Sequence, residues 1–244
     1  ASLDRSLQSL REACSRTVIP IQLPIGEEKS FRGIVDLLTR KAYLFQGGET
    51  GTGVESSVPA DMTAAVEAAR EALIEMVAEA DEKLMETFFD AGTLTDEQLV
   101  SGLRAATASA KLFPLVCTSA AANIGIPQLL DTIVALVPSP ADRPFRALAR
   151  DGSEANRTAD EKAPAAAFVW KTIADPFAGR ITMFRVVSGS LRSDSTVQNK
   201  TKEVPERFGS VQLLQGKTPT PVPEIKAGDL GSVAKLKDTL TSDT

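Results

Sequence analysis

Two small residues, Ser119 and Ala120, are the best candidates for chemistry in this sequence, because they directly follow the apolar run at 115–117. In a loop that leaves a buried strand, short side chains let the backbone N–H groups approach a ligand closely. Such N–H groups donate hydrogen bonds to carbonyl oxygens, including those of a planar base. Gly125 and an apolar helical pattern at 126–137 come next, so the sequence predicts a strand, loop and helix unit around the two residues.

Composition excludes several classes of active site. The 244 residues contain no histidine, which rules out Ser-His-Asp and Cys-His catalysis and histidine-ligated metals. Cys14 and Cys117 are the only cysteines, too few for a thiolate zinc cluster. The sequence also has no Gly-x-x-x-x-Gly-Lys-Ser/Thr run, the pattern of a phosphate loop. We therefore expect no catalytic residue and no metal site in these residues.

Charge is unevenly distributed along the chain. The formal net charge is −5, and residues 163–244 hold 11 Lys/Arg and 8 Asp/Glu (+3), which leaves 16 and 24 (−8) for residues 1–162. An acidic first part and a mildly basic second part favour two surfaces that meet different partners. The apolar fraction of 43% predicts a globular protein with real cores. No apolar run approaches the roughly 20 residues of a membrane span, so we expect a cytoplasmic location.

Apolar spacing predicts mixed α/β structure in the first part of the chain. A short helix is expected over the first dozen residues, ending near Ser15 and Arg16, followed by β-rich runs at 18–23 and 31–45. The glycine-rich stretch at 47–53 predicts the tip of a hairpin, since the helix that a phosphate loop requires does not follow it. A single long helix, about 43 Å at 1.5 Å per residue, is expected over 61–89.

The remaining elements divide the chain into two parts. Thr95 is a predicted cap for a second helix that reaches about residue 110, so the two helices form a helical hairpin. Prolines end the helix at 126–137, and small polar residues continue to 163, which predicts a linker over 141–163. From 165 onward, short β-rich runs separated by turn residues predict a small, closed antiparallel β-barrel.

Three blocks of sequence identify a family. The first is Cys-Thr-Ser-Ala at 117–120 with Leu-Val-Pro-Ser-Pro at 136–140. The second is Asp-Pro-Phe-Ala-Gly at 175–179 with Phe-Arg-Val-Val-Ser-Gly at 184–189, and the third is Ile-Gln-Leu-Pro-Ile-Gly at 21–26. With these blocks in order, nearly the whole chain resembles elongation factor G, a translational GTPase, or a divergent paralogue of it.

The resemblance implies a division into domains. Residues 1–140 would be the C-terminal part of a P-loop GTPase domain, with the family's α/β insertion at about 18–112. Residues 141–163 would be the linker, and residues 164–244 the β-barrel second domain. The complete protein would bind GTP or GDP with Mg²⁺ and hydrolyse GTP to promote translocation of tRNA and mRNA. This chain alone would bind no nucleotide tightly and would be inactive, because the phosphate loop and switch motifs are absent from it.

The resemblance also implies a guanine site. The backbone N–H groups of Ser119 and Ala120 would donate hydrogen bonds to the guanine carbonyl oxygen, and Asp4 would accept hydrogen bonds from the ring and amino N–H groups. Ala1 and Ser2 stand where the family has Asn-Lys before this aspartate. Two alternatives stay open on the residues: a divergent paralogue that acts in ribosome recycling or protection, and a non-catalytic module that binds the ribosome or RNA.

Four glutamates form the most regular charge pattern. Glu67, Glu71, Glu75 and Glu79 repeat at four-residue spacing along the predicted long helix. Neighbouring like charges at this spacing cost a few tenths of a kcal/mol per pair, so a helix selected only for stability would interleave lysines. The simplest interpretation is a solvated face. In the family, however, the insertion contacts the stalk protein of the large ribosomal subunit, which implies a docking role for the four carboxylates.

Basic residues of the predicted barrel form the last candidate surface. Lys200, Lys202 and Arg207 surround a predicted hairpin, and Arg180 lies on a neighbouring strand. Without interleaved aromatic residues, this is no platform for base stacking. The open interpretations are scattered solubilising charges and contacts to the phosphate backbone. The resemblance implies the second of these, with the barrel resting on small-subunit ribosomal RNA, in a monomeric factor that contacts no membrane.

Overall fold

The computed structural model describes residues 2–14, 17–45, 51, 53–149, 151–216 and 218–244. The chain divides into two compact units, Ala1–Val137 and Pro138–Thr244, and each unit has its own apolar core. Most of the predicted hairpin tip at 47–53 lies outside the described residues, which include only Gly51 and Gly53 of that stretch. In the described ranges no helix is long and apolar enough to cross a membrane.

The first unit is mixed α/β. Its elements are α1 (Leu3–Ala13), β1 (Val18–Pro20), β2 (Gln22–Ile25), β3 (Gly33–Asp36), β4 (Lys41–Leu44), β5 (Val54–Ser56), α2 (Thr63–Glu79), α3 (Glu82–Ala91), α4 (Asp96–Ala108), β6 (Phe113–Leu115) and α5 (Ile126–Leu136). Strands β1 and β6 pair in parallel, and β2, β3, β4 and β5 form an antiparallel sheet in that order. Both sheets therefore share the extended segment that carries β1 and β2.

Ile21 joins the two sheets of this unit. Its N–H donates to the Leu115 carbonyl at 3.0 Å, and its own carbonyl accepts from the Leu37 N–H at 2.9 Å. The side chain is fully buried, in a core that it shares with α2 and α4 through Leu73 and Leu99. One extended segment therefore fixes the parallel strand pair, the antiparallel sheet and the helices against each other.

The single helix predicted over 61–89 is wrong: α2 and α3 are separate helices. Asp81 interrupts them, because its backbone is extended (φ −143°, ψ 126°) and its carboxylate accepts from the N–H groups of Lys83 and Leu84 at 3.0 and 3.2 Å. An aspartate in this position satisfies N–H groups that a new helix leaves unpaired. The next helix, α4, has the predicted cap, since Thr95 and Gln98 bond reciprocally as a capping box.

The second unit is rich in β-structure. Its strands are β7 (Ala166–Asp175), β8 (Gly179–Ser188), β9 (Ser190–Arg192), β10 (Thr196–Asn199), β11 (Val204–Arg207), β12 (Val211–Gln215), β13 (Thr218–Val222), β14 (Glu224–Lys226) and β15 (Leu230–Ala234). The main sheet has the order β13-β12-β15-β8-β7, and β10-β11 and β14-β9 are two-stranded pairs. Phe184 and Val211 lie at the centre of the core.

The predicted closed barrel is not observed, because the described strands form open sheets. The free edge of β7 bonds to an irregular segment instead of a strand: Val169 N–H donates to the Asp243 carbonyl at 2.9 Å, and Ser242 N–H donates to the Val169 carbonyl at 2.8 Å. On the other side, Lys200 N–H donates to the Thr244 carbonyl at 2.8 Å. The segment at 239–244 thus lies between β7 and β10 without forming the ladder that would close the sheet.

Residues 141–163, predicted as a linker, belong to the second unit and have local structure. A 3₁₀ turn spans Pro140–Asp142, and isolated β-bridges join Phe145 to Arg157 and Leu148 to Glu154. The backbone groups of residues 141–163, which precede β7 in the chain, are therefore partly hydrogen-bonded.

Candidate functional site

The turn that contains Ser119 and Ala120 is closed on itself. Ser119 and Ile124 exchange backbone hydrogen bonds of 2.9 and 3.0 Å, and the Ser119 hydroxyl accepts from the Ala122 N–H at 3.3 Å. The Ser119 N–H is therefore already used. Ala120 is exposed, and within the described residues its N–H has no assigned acceptor. Of the two residues predicted to contact guanine through the backbone, Ala120 has the available N–H donor, and Ser119 closes the turn.

Gly125 fixes the connection from this turn to α5. Its φ is +72°, and a Cβ atom there would lie 2.6 Å from the Cys117 carbonyl oxygen. A residue with a side chain would meet both backbone strain and a backbone clash. Only glycine lets α5 begin this close to the end of the strand.

Gln22 and Cys117 hold the other end of the turn. The fully buried Gln22 accepts from the Cys117 N–H through Oε1 at 3.1 Å, and the Cys117 Sγ lies 3.6 Å from the Gln22 carbonyl oxygen. Burial raises the pKa of the Cys117 thiol to about 11, so the thiol is protonated at neutral pH. Cys117 therefore acts as a small buried packing residue, not as a nucleophile.

Asp4 lies in the first turn of α1 and is exposed. Helix α1 packs on β1, where Arg11 Nε donates to the Val18 carbonyl at 3.1 Å. At the start of the helix, the Leu3 N–H donates to Glu27 Oε1 at 3.3 Å, so this end lies beyond the carboxyl end of β2. The Asp4 carboxylate forms no hydrogen bond within the described chain.

The topology places the Ser119–Ala120 turn at the carboxyl edge of the parallel strand pair. Strands β1 and β6 run parallel with Pro20 opposite Leu115, so their carboxyl ends meet at the same edge. Ser119 follows β6 there, whereas the start of α1 contacts Glu27, which follows β2. The exposed carboxylate of Asp4 and the exposed N–H of Ala120 are the acceptor and donor that a planar amide-like ring edge requires.

The predicted acidic ridge lies on α2. Glu67, Glu71, Glu75 and Glu79 are all exposed, while Val66, Leu73 and Val77 of the same helix are buried. A step of four residues turns the helix by about 40°, so the ridge winds over about 120° from its first member to its last. The structure therefore leaves these carboxylates in solvent as a curved strip, where a partner could contact them.

Two of the predicted cations of the second unit contact the same segment. Arg180 donates to the Lys237 carbonyl at 3.0 Å, and Lys202 donates to the Asp238 carbonyl at 2.5 Å. Lys235 and Lys237 are exposed in this segment, and sequence analysis did not select them. We name Arg180, Lys200, Lys202, Lys235 and Lys237 the basic cluster. Arg207 lies apart, because it pairs with Thr196 at the opposite end of the β10-β11 hairpin from Lys200.

Glu206 holds the segment that carries the two additional lysines. Its side chain is 5% exposed, and its carboxylate accepts from the N–H groups of Lys237, Asp238 and Thr239 at 3.3, 2.7 and 2.9 Å. Burial opposes ionisation, but these hydrogen bonds outweigh it and lower the pKa of Glu206 below its ordinary value. A buried carboxylate thus positions an exposed basic segment.

Comparisons with known proteins show what the second unit and the whole chain are similar to. Residues 164–244 match the family model of elongation factor G domain 2. The second unit is therefore similar to elongation factor G domain 2. The whole length of the chain also superposes on a crystal structure of a Thermus thermophilus protein with a TM-score of 0.80 and 26% identity. The match covers 100% of this chain and 34% of the Thermus thermophilus chain, so this chain spans about a third of the length of that protein. The predicted resemblance is confirmed.

Lys235 and Lys237 were not predicted as contacts, although Lys237 lies in the Leu-Lys-Asp-Thr stretch at 236–239. The signal that could have found them is the Lys-Leu-Lys run at 235–237, in which two exposed lysines flank the buried Leu236 after β15. The position of these lysines depends on Glu206, for which the sequence pattern predicts only a strand residue. Only the fold shows that its carboxylate faces inward.

Replacing Glu206 tests this anchor. We expect Glu206→Gln to lower the free energy of unfolding by about 1–3 kcal/mol, because an amide oxygen replaces a charged acceptor of several N–H groups. Since the folded pKa is depressed, the stabilisation is complete above the ordinary pKa of 4.5 and is lost as pH falls through the folded value. Urea denaturation between pH 3 and 7 should therefore show a shallower pH dependence for the variant. An identical dependence in both proteins would contradict the role of the carboxylate.

Proposed function

We propose that the complete protein containing this chain is a GTP-driven ribosomal factor that promotes translocation of tRNA and mRNA. The observation that carries the proposal is the exposed turn of Ser119 and Ala120 after the parallel strand β6, with an unbonded Ala120 N–H within the described residues. The match of residues 164–244 to elongation factor G domain 2 supports the same function. A cytoplasmic, monomeric factor is the form in which such a protein would meet the ribosome.

The chain contributes the base-reading part of the nucleotide site. The Asp4 carboxylate accepts from the guanine ring N–H and amino group, and the Ala120 N–H donates to the guanine carbonyl oxygen, with Ser119 closing the turn. Phosphate loop, switch segments and Mg²⁺ ligands supply the hydrolytic chemistry elsewhere in the complete protein. The chain alone binds GTP weakly, because base contacts without the phosphate cradle lack the strongest charge-assisted hydrogen bonds.

An exchange of nucleotide specificity tests the guanine site. Asp4→Asn replaces an acceptor by an amide that can donate to the additional carbonyl oxygen of xanthine. In the complete protein we expect GTP turnover on ribosomes to fall by about a hundredfold or more, and XTP turnover to rise. Steady-state phosphate release with both nucleotides measures the exchange.

Asp131→Asn, an exposed aspartate on α5, is the matched control and should change neither activity. If Asp4→Asn leaves the preference for GTP intact, Asp4 does not read the base. A complete protein that hydrolyses no nucleotide on ribosomes would instead favour the non-catalytic ribosome-binding alternative.

The acidic ridge of α2 is proposed as the docking site for the ribosomal stalk protein. Its four carboxylates are exposed, and a basic partner segment would relieve their mutual repulsion. We expect Glu71→Lys with Glu75→Lys to weaken stalk binding severalfold at low salt, with a smaller effect at high salt because exposed charges are screened.

The control for this variant is Glu82→Lys with Glu86→Lys, which makes the same charge change at exposed positions of α3. Fluorescence anisotropy with labelled stalk protein compares the two pairs. Equal affinities for the α2 variant and the unchanged chain at low salt would leave the ridge as a solvated face.

The basic cluster is proposed as the contact with small-subunit ribosomal RNA, with Arg207 as a separate contact. Because phosphate contacts release counterions, affinity for the RNA should fall steeply as salt rises. We expect Lys200→Gln with Lys237→Gln to weaken binding and to reduce the slope of log affinity against log salt by about 1 per lysine. Lys171→Gln, exposed on β7, controls for net charge. A flat salt response of the unchanged chain would contradict phosphate contact.

A further inference from the structure

The second unit contains a cavity of about 360 Å³ that the proposed function does not use. Its walls are residues 138–140 and 143–145, residues 157 and 159, the stretch 185–187 of β8, and the turn at Gly228. Val186 and Val187 are buried, whereas the surrounding lining residues are half-buried or exposed. The cavity therefore has an apolar floor and a polar rim.

Local backbone chemistry gives the cavity rigid walls. Pro138, Pro140 and Pro144 restrict the first wall, and Ser139 caps its 3₁₀ turn by accepting from the Ala141 N–H at 3.2 Å. Opposite, the Gly228 N–H donates to the Val186 carbonyl at 2.7 Å with φ at +94°. A Cβ at Gly228 would lie 3.1 Å from Pro140 Cβ, so the two walls are already in close contact.

Three arginines line the cavity: Arg143, Arg157 and Arg185. None of the described lining residues is acidic. In the part of the chain that the structure describes, no carboxylate pairs with the guanidinium of Arg157 or Arg185. Holding the guanidinium groups of Arg157 and Arg185 at one concave surface without a paired carboxylate is unfavourable, and low-dielectric walls focus their positive potential.

We propose that this cavity binds the phosphate group of a small phosphorylated ligand. Guanidinium groups present paired N–H donors that match phosphate oxygens, and several arginines together can satisfy more than one oxygen. The volume is that of a small-molecule site, whereas duplex RNA backbone is bound on open surfaces. Phe145 adds an aromatic wall, held by Phe168 with ring centroids 6.0 Å apart. A flat apolar group attached to the phosphate would fit beside this ring.

Isothermal titration of the 244-residue chain with inorganic pyrophosphate tests the site. We expect one equivalent to bind, and the double change Arg157→Gln with Arg185→Gln to weaken binding by roughly tenfold to a hundredfold. Arg32→Gln, an exposed arginine of the first unit, is the matched control and should leave affinity unchanged. Citrate at equal ionic strength separates phosphate from carboxylate recognition, and equal binding of citrate would contradict the assignment.

A second measurement keeps the test independent of variant stability. Pyrophosphate should raise the melting temperature of the unchanged chain above that in chloride of equal ionic strength, because a ligand that binds the folded state stabilises it. A short single-stranded RNA forms the other arm. If the RNA binds in an Arg157- and Arg185-dependent manner and pyrophosphate does not, the phosphate belongs to a nucleic acid, which overturns the small-ligand assignment. Binding of neither probe overturns the site altogether.

Discussion

The fold of the first unit depends on one extended segment, residues 18–25. Its middle residue, Ile21, bonds through its backbone to Leu115 on one side and Leu37 on the other, so two sheets with different pairing directions share one chain. The next residue, Gln22, is buried and accepts from Cys117. Because an unpaired buried amide group costs about 1–3 kcal/mol, the bond from the Cys117 N–H offsets part of the cost of burying the Gln22 side chain. It also sets where β6 ends and where the turn with Ser119 and Ala120 begins.

The second unit depends on buried polar contacts where strand pairing stops. Glu206 holds the segment at 237–239, and Asn199 donates from Nδ2 to Thr239 Oγ1 and Asp243 Oδ2 at 3.1 and 2.9 Å. These bonds place an irregular stretch against β7, where a regular strand would have closed the barrel. Asn199 begins an Asn-Lys-Thr-Lys stretch that looks like part of a guanine-binding motif, but its amide is occupied by this network. The same contacts present the exposed lysines of the basic cluster.

Charge is unevenly distributed over the described surfaces of the two units. Carboxylates collect along one strip of α2, at a cost of only a few tenths of a kcal/mol per neighbouring pair. In the second unit, cations collect near 235–238 and around the arginine-lined cavity. Such costs are small beside core burial, which provides about 25 cal/mol for each Å² of apolar surface, so a stable fold can carry unbalanced surfaces for binding partners.

Sequence alone determined the resemblance to elongation factor G, the order of α/β and β-rich parts, and the strand, loop and helix unit around Ser119 and Ala120, because short motifs and apolar periodicity are local properties. It could not show that one helix becomes two at Asp81, since helical periodicity continues through a residue whose carboxylate caps the next helix. It also missed Lys235, Lys237 and the cavity around Arg157 and Arg185. Those groups come together through contacts between residues distant in the chain, such as Glu206 with 237–239, and through the turn at Gly228 against Pro140. Tertiary structure decided these features because burial and hydrogen-bond partners exist only once the chain is folded.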